Sequence, residues 1–583
     1  MIFRKKFLLF MPLLGLILAI VSLLQQQPVA AGQNDQLSDP RLCESVYLPF
    51  VIDQATGAKG NTGAGVILPP PAPQGAVGCQ SFTDFDGDGY DDLAAGVPFE
   101  DVNAIVNAGS INVIDGSQDG LTAVGDQIIT RPTFGATYLA EANDNLGETL
   151  AAGDFNGDGY MDLVAGLPDS AIDGQANAGS VQVFYGSATG LQNPDEQHVF
   201  SQAGAINGLV EANDQFGYAL AAGDFNGDGY DDLAVGSPQE SVNSVNNAGA
   251  VNIIFGSADG LTEANDQQWV EDDFPLFGNS QEGDQMGYAL AASDFDKDGY
   301  DDLAIGVPYQ ALLDNNGILR DNAGMVYIVP GAPTGPTTDI YTIFSQAGDV
   351  GGLVEADDLF GAVLHTGDFN GDGYGDLAIG LPFENVGAIE DAGAVNILYG
   401  STVGLSDEGN QIIDPDNSGF GAALSAGDDH RFGHALTAGD YNGDGYSDLV
   451  IGIPRQDLGI TPNITNAAGA AIIVPGGQNG LNTSAYQFLA QNNNLILGTA
   501  ENSDWFGYAL TTGDYNGDGY ADLGVGVPFD DDNVNDADNG GNVMVFYGYE
   551  GGVLVESNER WNQGTDSIEG ALEAGDSFGY GLP

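Results

Sequence analysis

The sequence predicts an all-β protein, a seven-bladed β-propeller, and three observations support this prediction. One acidic segment recurs seven times, no long helical period separates the copies, and the two ends of the chain carry complementary parts of one repeat. Repetition at a fixed period is the signature of an architecture built from equal units. Units of four short strands that are arranged radially are the blades of a propeller.

The most constant part of the repeat reads DFNGDGYDDLAVGSP where it begins at Asp224. Similar segments begin at Asp84, Asp154, Asp294, Asp368, Asp440 and Asp514, and the intervals between consecutive copies are 70, 70, 70, 74, 72 and 74 residues. Around Asp224 we expect four strands, near 218–224, 232–236, 249–256 and 267–270, because short alternating runs are bounded there by glycine-rich turns.

The predicted domain organisation follows from these intervals. We expect the propeller to occupy residues 79–583, with blades at about 79–138, 139–209, 210–280, 281–353, 354–426, 427–499 and 500–568 and a closing strand at 569–583.

Closure of the ring is predicted from a dipeptide of the FG type, whose glycine stands seven residues before the first aspartate in copies two to seven. The first copy has Ala76-Val77-Gly78 at this point, whereas Phe578-Gly579 occurs near the other end with no acidic loop after it. We therefore expect the C-terminal strand to complete the first blade, which removes two exposed sheet edges. A chain cut early in an eighth repeat is the alternative.

Residues 1–31 have the features of a secretory signal peptide. Three basic residues precede an apolar run at 7–24, and the small residues at 29–31 offer a cleavage site. An uncleaved membrane anchor is the alternative, since about 18 apolar residues are enough to span a bilayer. After cleavage we expect no membrane span and a secreted, extracellular or cell-surface location.

Residues 32–78 are expected to form an N-terminal arm with a proline-rich spacer at 69–73, because proline-rich segments are extended and stiff. Cys43 and Cys79 remain in the exported chain. In an oxidising compartment they could form a disulfide that fastens the arm to the first blade.

The chain is strongly acidic, with a formal net charge of −73. Removal of the three basic residues of the signal changes this charge to −76. Such a surface repels nucleic acid and anionic lipid, so neither is an expected partner. Disorder is also excluded, because 43% of the residues are hydrophobic.

Each acidic segment has the spacing of a calcium-binding loop. Oxygen-bearing side chains stand at positions 1, 3, 5 and 9, a glycine stands at position 6, and the carbonyl of the tyrosine at position 7 can face the ion, as in the first part of an EF-hand loop. We predict up to seven calcium ions, held by Asp84, Asp86, Asp88, Tyr90 and Asp92; Asp154, Asn156, Asp158, Tyr160 and Asp162; Asp224, Asn226, Asp228, Tyr230 and Asp232; Asp294, Asp296, Asp298, Tyr300 and Asp302; Asp368, Asn370, Asp372, Tyr374 and Asp376; Asp440, Asn442, Asp444, Tyr446 and Asp448; and Asp514, Asn516, Asp518, Tyr520 and Asp522.

Two features distinguish these loops from an EF-hand. The glutamate of an EF-hand at position 12 is replaced, by Ala95 in the first copy, and strands flank the loop, so the site is a compact hairpin. A type I turn capped by Asp and Asn is the alternative. The same offsets in seven copies, with 23 carboxylates at positions 1, 3, 5 and 9, favour a cation.

The FG dipeptide, the DxD/NxDG loop and the Gly-Val-Pro or Gly-Leu-Pro that follows it together resemble the FG-GAP repeat of integrin α chains. The resemblance covers about residues 79–583 and implies seven blades with calcium in the hairpin loops. It also implies ligand contact on the face that carries the connections between strands 2 and 3 and between blades.

We expect a recognition or adhesion module for an extracellular protein or carbohydrate ligand, and no catalytic centre. The expectation of no enzyme rests on the absence of familiar catalytic motifs from the sequence. The alternative is an extracellular polysaccharide-active hydrolase or lyase that uses the propeller face. Trp269, Trp505 and Trp561 do not share one repeat position, so they are candidate ligand-binding residues, with core packing as the alternative.

Overall fold

A computed structural model describes residues 83–583 with short gaps, and these residues belong to one compact unit, Cys43–Pro583. The gaps are 132–138, 193–198, 205, 275–279, 349, 417–418, 421–423, 425, 461–462, 532–538, 565–567, 569 and 571–572. The predicted signal peptide, the N-terminal arm, Cys43 and Cys79 lie outside the described residues. The predicted disulfide therefore stays a prediction.

The described residues are almost entirely strands and turns, with two short 3₁₀ helices at Glu271–Asp273 and Thr483–Ala485. The strands, in chain order, are β1 Leu93–Val97, β2 Ser110–Asp115, β3 Thr122–Ile129, β4 Thr149–Gly153, β5 Asp162–Leu167, β6 Ser180–Phe184, β7 Val199–Phe200, β8 Ala219–Gly223, β9 Asp232–Ser237, β10 Ala250–Phe255, β11 Thr262–Trp269, β12 Leu290–Ser293, β13 Asp302–Val307, β14 Leu312–Leu313, β15 Leu319–Arg320, β16 Met325–Val329, β17 Thr342–Phe344, β18 Val363–Gly367, β19 Asp376–Leu381, β20 Ala394–Tyr399, β21 Ser406–Ile413, β22 Ala435–Gly439, β23 Asp448–Ile453, β24 Leu458–Ile460, β25 Asn463–Thr465, β26 Ala470–Val474, β27 Gln487–Leu489, β28 Leu510–Gly513, β29 Asp522–Val527, β30 Asn542–Phe546, β31 Gly548–Tyr549, β32 Gly552–Val553 and β33 Glu559–Trp561.

These strands form the seven-bladed β-propeller that the sequence predicts. Six blades are four-stranded antiparallel sheets, with the orders β4-β5-β6-β7, β8-β9-β10-β11, β12-β13-β16-β17, β18-β19-β20-β21, β22-β23-β26-β27 and β28-β29-β30-β33. The first blade has β1-β2-β3, and three small hairpins extend from the fourth, sixth and seventh blades. In the third blade the observed strands fall where the sequence places them, except that β11 begins five residues earlier than expected.

The hydrophobic core is divided among the junctions between blades. Seven clusters of buried side chains each join two neighbouring blades, including the last and the first. The second strand of each blade is buried along its whole length; β9, for example, has no exposed residue. The interior of such a strand is apolar, as in the LAVG of β9, because the strand is covered on both faces.

The first blade is closed by the C-terminal segment, as predicted. The backbone N–H of Gly579 donates to the carbonyl of Gly96 at 3.0 Å, and the N–H of Gly96 donates to Gly581 at 2.8 Å. Further along the same edge, the N–H of Asp92 donates to the carbonyl of Thr83 at 3.1 Å. The innermost strand of this blade is thus assembled from two distant pieces of chain, and β1 has no open edge on this side.

Candidate functional site

The acidic loops connect the first and second strands of each blade, as the hairpin between β8 and β9 does in the third blade. In the first loop Asp84 organises the turn. Its Oδ1 accepts hydrogen bonds from the N–H groups of Gly87 at 2.7 Å and Asp88 at 3.1 Å, and its Oδ2 accepts from Gly89 at 3.0 Å. The same pattern recurs in the third and fifth loops, so local hydrogen bonds shape the loop.

The aspartate at position 9 is buried beneath the loop. In the second loop, Asp162 accepts from the N–H of Phe155 through Oδ2 at 3.0 Å and from the N–H of Gly186 through Oδ1 at 2.9 Å. Phe155 is the second residue of the loop, and Gly186 follows β6. Position 9 therefore fastens the loop to the third strand of its own blade, a role that the sequence did not predict.

Carboxylates converge in the loops that carry four of them. One oxygen each from Asp84, Asp86 and Asp88 lies within 4.8 Å of the others, and the same holds for Asp294, Asp296 and Asp302. These two triplets together include positions 1, 3, 5 and 9. Oxygen-only side chains gathered at this spacing are suited to a hard cation such as Ca²⁺, so the residues present fit the predicted ion.

Burial and neighbouring negative charges raise the pKa values of carboxyl groups in the loops. Burial raises the pKa of Asp162 to about 8, and the charges of Asp154 and Asp158 add to this rise, against hydrogen bonds that lower it. Burial likewise raises the pKa of Asp84 to about 6. A bound cation would remove the repulsion that favours the protonated forms.

A ring of hydrogen bonds joins the seven loops to one another. The N–H of the residue at position 8 donates to the carbonyl at position 1 of the preceding blade, as from Asp231 to Asp154 at 3.1 Å. The same bond occurs at all seven junctions, and Asp91 donates to Asp514 at 3.2 Å to close the ring. The loops are thus coupled around the whole propeller.

The side chain at position 8 adds a second contact, which the sequence analysis missed. Asp231 Oδ2 accepts from the N–H of Asp154 at 2.8 Å, and Asp91 Oδ2 accepts from Asp514 at 2.7 Å. The signal in the sequence is the second acid of the DGYDDL segments, which occurs in three of the seven loops.

The tyrosine at position 7 packs against the neighbouring blade. A Cβ added to Gly87 would lie 2.6 Å from the ring of Tyr160, and the equivalent glycines meet the equivalent rings at five other junctions. In the fourth loop Lys297 replaces this glycine and lies over the ring of Tyr374, with its Nζ 5.9 Å from the ring centroid. The conserved spacing of the tyrosines is therefore accounted for by packing, and the predicted role of their carbonyls stays a prediction.

All 35 predicted ligand residues lie in these seven hairpins, at the same end of every blade. At the opposite end, the residue after each FG-type glycine lies one or two residues before the innermost strand, or in the closing segment of the first blade. These residues are Glu148, Tyr218, Tyr288, Ala362, His434, Tyr508 and Tyr580. The ring centroids of Tyr218 and Tyr288 are 5.1 Å apart, and those of Tyr508 and Tyr580 are 4.9 Å apart.

Further aromatic rings extend this cluster outward. Trp505 stacks on Tyr508 at 5.7 Å between centroids and meets Phe529 at 4.8 Å. We call the group the aromatic cup; it comprises Phe99, Tyr218, Tyr288, Tyr309, His434, Trp505, Tyr508, Phe529 and Tyr580. All of its members are half-buried. Tyr218 of the cup and Asp224 of the acidic loop are six residues apart along the innermost strand, roughly 20 Å at the rise of a β-strand.

Charged groups flank the aromatic cup. The Arg455 guanidinium lies over the ring of Trp505, 5.7 Å from its centroid. Burial raises the pKa of Glu148 to about 7, and the charge of Asp169 adds to this rise. Among the described residues, Glu148 Oε2 is buried without a hydrogen-bond partner. Of the three tryptophans, Trp505 belongs to the cup, whereas Trp269 is buried in the core.

Comparison with known proteins identifies the repeats. The FG-GAP repeat family matches residues 81–113, 146–184, 216–253, 286–329, 360–398, 432–474 and 506–546, which is one match for each blade. These segments contain all seven acidic loops, in agreement with the resemblance noted in the sequence.

Two kinds of curated relative are similar to the chain. Integrin alpha-PS2 of Drosophila melanogaster is 34% identical over 272 residues, which are 45% of this chain and 17% of that protein. Phosphatidylinositol-glycan-specific phospholipase D of Bos taurus is 33% identical over 174 residues, 30% of this chain and 20% of that protein. The match thus spans about a fifth of the length of these relatives.

The expectation that the chain is not an enzyme is contradicted by this comparison. The phospholipase D relatives are enzymes by name, and they are 33–34% identical to about 30% of this chain, so the absence of familiar catalytic motifs does not exclude an enzyme. The FG-GAP repeat therefore does not exclude catalysis. Among solved structures, a rhamnogalacturonan lyase of Bacillus licheniformis covers 85% of this chain and 76% of its own, with 11% identity and a TM-score of 0.31. At that score the likeness supports no conclusion.

One repeat match per blade, integrin α relatives and closure of the ring agree with one another. The chain belongs to the FG-GAP repeat proteins and forms an integrin-like β-propeller.

Proposed function

We propose that this protein is a calcium-binding recognition module, whose aromatic cup binds an extracellular protein or carbohydrate ligand. The observation that supports this most strongly is the separation of two chemically distinct ends. One end of each blade carries oxygen ligands for cations, and the other carries half-buried rings around the start of the innermost strands. The first end stabilises the propeller, and the second is available to a ligand.

The composition of the aromatic cup defines the ligands that suit it. Planar rings offer faces for the apolar side of a sugar or for peptide side chains, and Tyr and Trp add a polar edge for hydrogen bonds. Tyrosine, tryptophan and arginine are also the residues that contribute most to protein interfaces. The cup contains all three types, with Arg455 beside Trp505.

Calcium would act on this function indirectly. An ion in each hairpin neutralises carboxylates that are coupled around the ring through the bonds between positions 8 and 1. Because the innermost strands run from the hairpins to the cup, ordering of the loops holds the ring residues in place. At a free calcium concentration 100 times the dissociation constant of a site, binding at that site would stabilise the fold by about 2.7 kcal/mol.

The test is a glycan and matrix-protein binding array, run with calcium and with EGTA. We expect a ligand that binds in calcium and is lost in EGTA. Tyr508→Ala should weaken this binding, whereas Tyr549→Ala, an exposed tyrosine at the calcium end, should not. Equal binding by the two variants would reject the aromatic cup as the ligand site.

The proposed location is the cell exterior, which agrees with the signal-like residues 1–31. In the part of the chain that the structure describes, there is no helix with the length and apolar character of a membrane span. Detection of the mature chain in the culture medium or on the cell surface would test this location.

A hydrolytic activity in the same cup is a second candidate, favoured by Glu148. A carboxyl group with a pKa near 7 can act as a general acid or base at neutral pH. Polysaccharide and phosphodiester substrates should be tried together. Turnover that Glu148→Gln abolishes without loss of ligand binding would support catalysis here, and turnover that this variant retains would place any catalytic group elsewhere.

A further inference from the structure

A second set of buried carboxyl groups lies at junctions between blades, at the end opposite the hairpin loops. In the fifth blade the pair is Asp358, which is 0% exposed, and Glu384, which is 7% exposed. Asp358 precedes the FG-type dipeptide, and Glu384 follows β19. Burial raises the pKa of Asp358 to about 8, and the charge of Glu384 is the next contribution.

This pair is accompanied by oxygen atoms that lack partners. Gln346, only 3% exposed, donates through Nε2 to Glu384 Oε2 at 2.9 Å. Within the described residues, Gln346 Oε1 and Asp358 Oδ1 are buried and accept no hydrogen bond. An unsatisfied buried acceptor costs about 1–3 kcal/mol, so a donor or a cation is needed at this place.

The same set occurs in two other blades. In the third, Gln202 donates to Glu240 at 2.9 Å, Gln202 Oε1 is without a partner among the described residues, and Asp214 adds its charge to Glu240. The set of the first blade consists of Gln563, Glu100 and Asp576, where Glu100 Oε2 and Gln563 Oε1 are the unsatisfied atoms of the described residues.

Two other blades supply a cation from their own sequence. In the second blade Arg131 takes the place of the glutamine and donates to Asp144 at 2.8 Å; these side chains are 5% and 2% exposed. Ser170 stands there in place of the glutamate. In the seventh blade Arg560 forms an ion pair with Asp530. Gln491 is retained in this blade and also donates to Asp530, so Arg560 of β33 is an added group. In both blades an arginine of the chain itself therefore lies beside a buried carboxylate of the set.

We propose that the first, third and fifth blades each bind a divalent, oxygen-preferring cation such as Ca²⁺ between the paired carboxylates and the amide oxygen of the glutamine. Replacement of Arg131 and Ser170 by glutamine and glutamate changes the charge of the buried set from zero to −2, which one divalent ion restores. Carboxylate and amide oxygens are the ligands that Ca²⁺ takes in proteins. These sites are independent of the hairpin sites, because they lie at the opposite end of the blades.

The experiment counts bound calcium per chain by equilibrium dialysis and elemental analysis at saturating Ca²⁺. We expect the double variant Glu240→Gln/Glu384→Gln to bind two ions fewer than the unmodified protein. The matched control is Glu263→Gln/Glu408→Gln, which makes the same change at exposed glutamates in the fourth strands of the same blades and should lose none. An unchanged count in the first variant would overturn the proposal and leave water or a proton as the occupant.

A second measurement tests the proposal on the unmodified protein, so that it holds even if the double variant does not fold. Crystals of the unmodified protein soaked in Mn²⁺ should show an anomalous peak beside the carboxylates of Asp358 and Glu384, and a map without this peak would refute the proposal. A peak there without peaks in the hairpins would refute the hairpin sites alone. The two sets of sites are therefore tested separately.

Discussion

The aspartate at position 9 should matter for folding even when no calcium is bound, and Asp162 is the best place to test this. Asp162→Ala removes the acceptor for the N–H of Phe155 at 3.0 Å and for the N–H of Gly186 at 2.9 Å. Both hydrogen bonds are buried. Asp158, at position 5 of the same loop, is exposed and accepts one exposed N–H, from Tyr160 at 3.1 Å.

The expected magnitudes differ accordingly. Two buried N–H groups without acceptors cost about 1–3 kcal/mol each, so Asp162→Ala should lower the free energy of unfolding in EGTA by about 2–6 kcal/mol. Asp158→Ala should change it by less than about 0.5 kcal/mol in EGTA, as surface substitutions usually do. In calcium, both variants should also lose the stabilisation from one ion, about 2.7 kcal/mol at 100 times the dissociation constant.

The assay is urea unfolding followed by circular dichroism, with each variant measured in calcium and in EGTA. If both variants behave alike in EGTA, position 9 has no structural role beyond that of a ligand. If neither variant differs more from the unmodified protein in calcium than in EGTA, the hairpin does not bind the ion.

Three further predictions concern closure, the fourth loop and pH. Deletion of residues 577–583 should lower the melting temperature markedly, because it removes the fully buried Phe578 and both hydrogen bonds to Gly96; an unchanged melting curve would show that closure is dispensable. Lys297→Gly should raise the free energy of unfolding by about 1 kcal/mol, since Lys297 has a φ of 59° and the other loops have glycine there; destabilisation instead would mean that its contact with Tyr374 dominates. In EGTA, the free energy of unfolding should fall as the pH rises from about 4 to 8. The pKa values of the position-9 aspartates are raised to about 7 or 8 in the folded state. In this pH range the folded state therefore binds protons that the unfolded state has released, and this stabilisation is lost as the pH rises. Melting temperatures across this range would check the sign, and excess calcium should reduce the slope, because the ion replaces those protons.

Much of the fold could be predicted because its signals are local and repeated. The spacing within one acidic loop, such as Asp154 to Asp162, indicates a hairpin with oxygen ligands, and seven copies give the number of blades. The FG-type dipeptide Phe578-Gly579, which has no acidic loop after it, predicted that the C-terminal segment closes the ring. Each of these features lies within a few residues of chain, so a pattern in the sequence is enough to show it.

The sequence by itself determined the repeat, the blade number and the positions of the candidate ligands. Only the tertiary structure decided which residues meet across blades: the bond from Asp231 to Asp154, the ring of Tyr160 on Gly87, the aromatic cup and the pairing of Asp358 with Glu384. Asp358 and Glu384 are 26 residues apart, Asp231 and Asp154 are 77 apart, and Phe99 and Tyr580 of the cup are 481 apart. The repeat pattern alone does not show which of these side chains meet. The packing of one sheet against the next sets these contacts, because seven blades must bury their apolar faces against one another before any of these groups become neighbours.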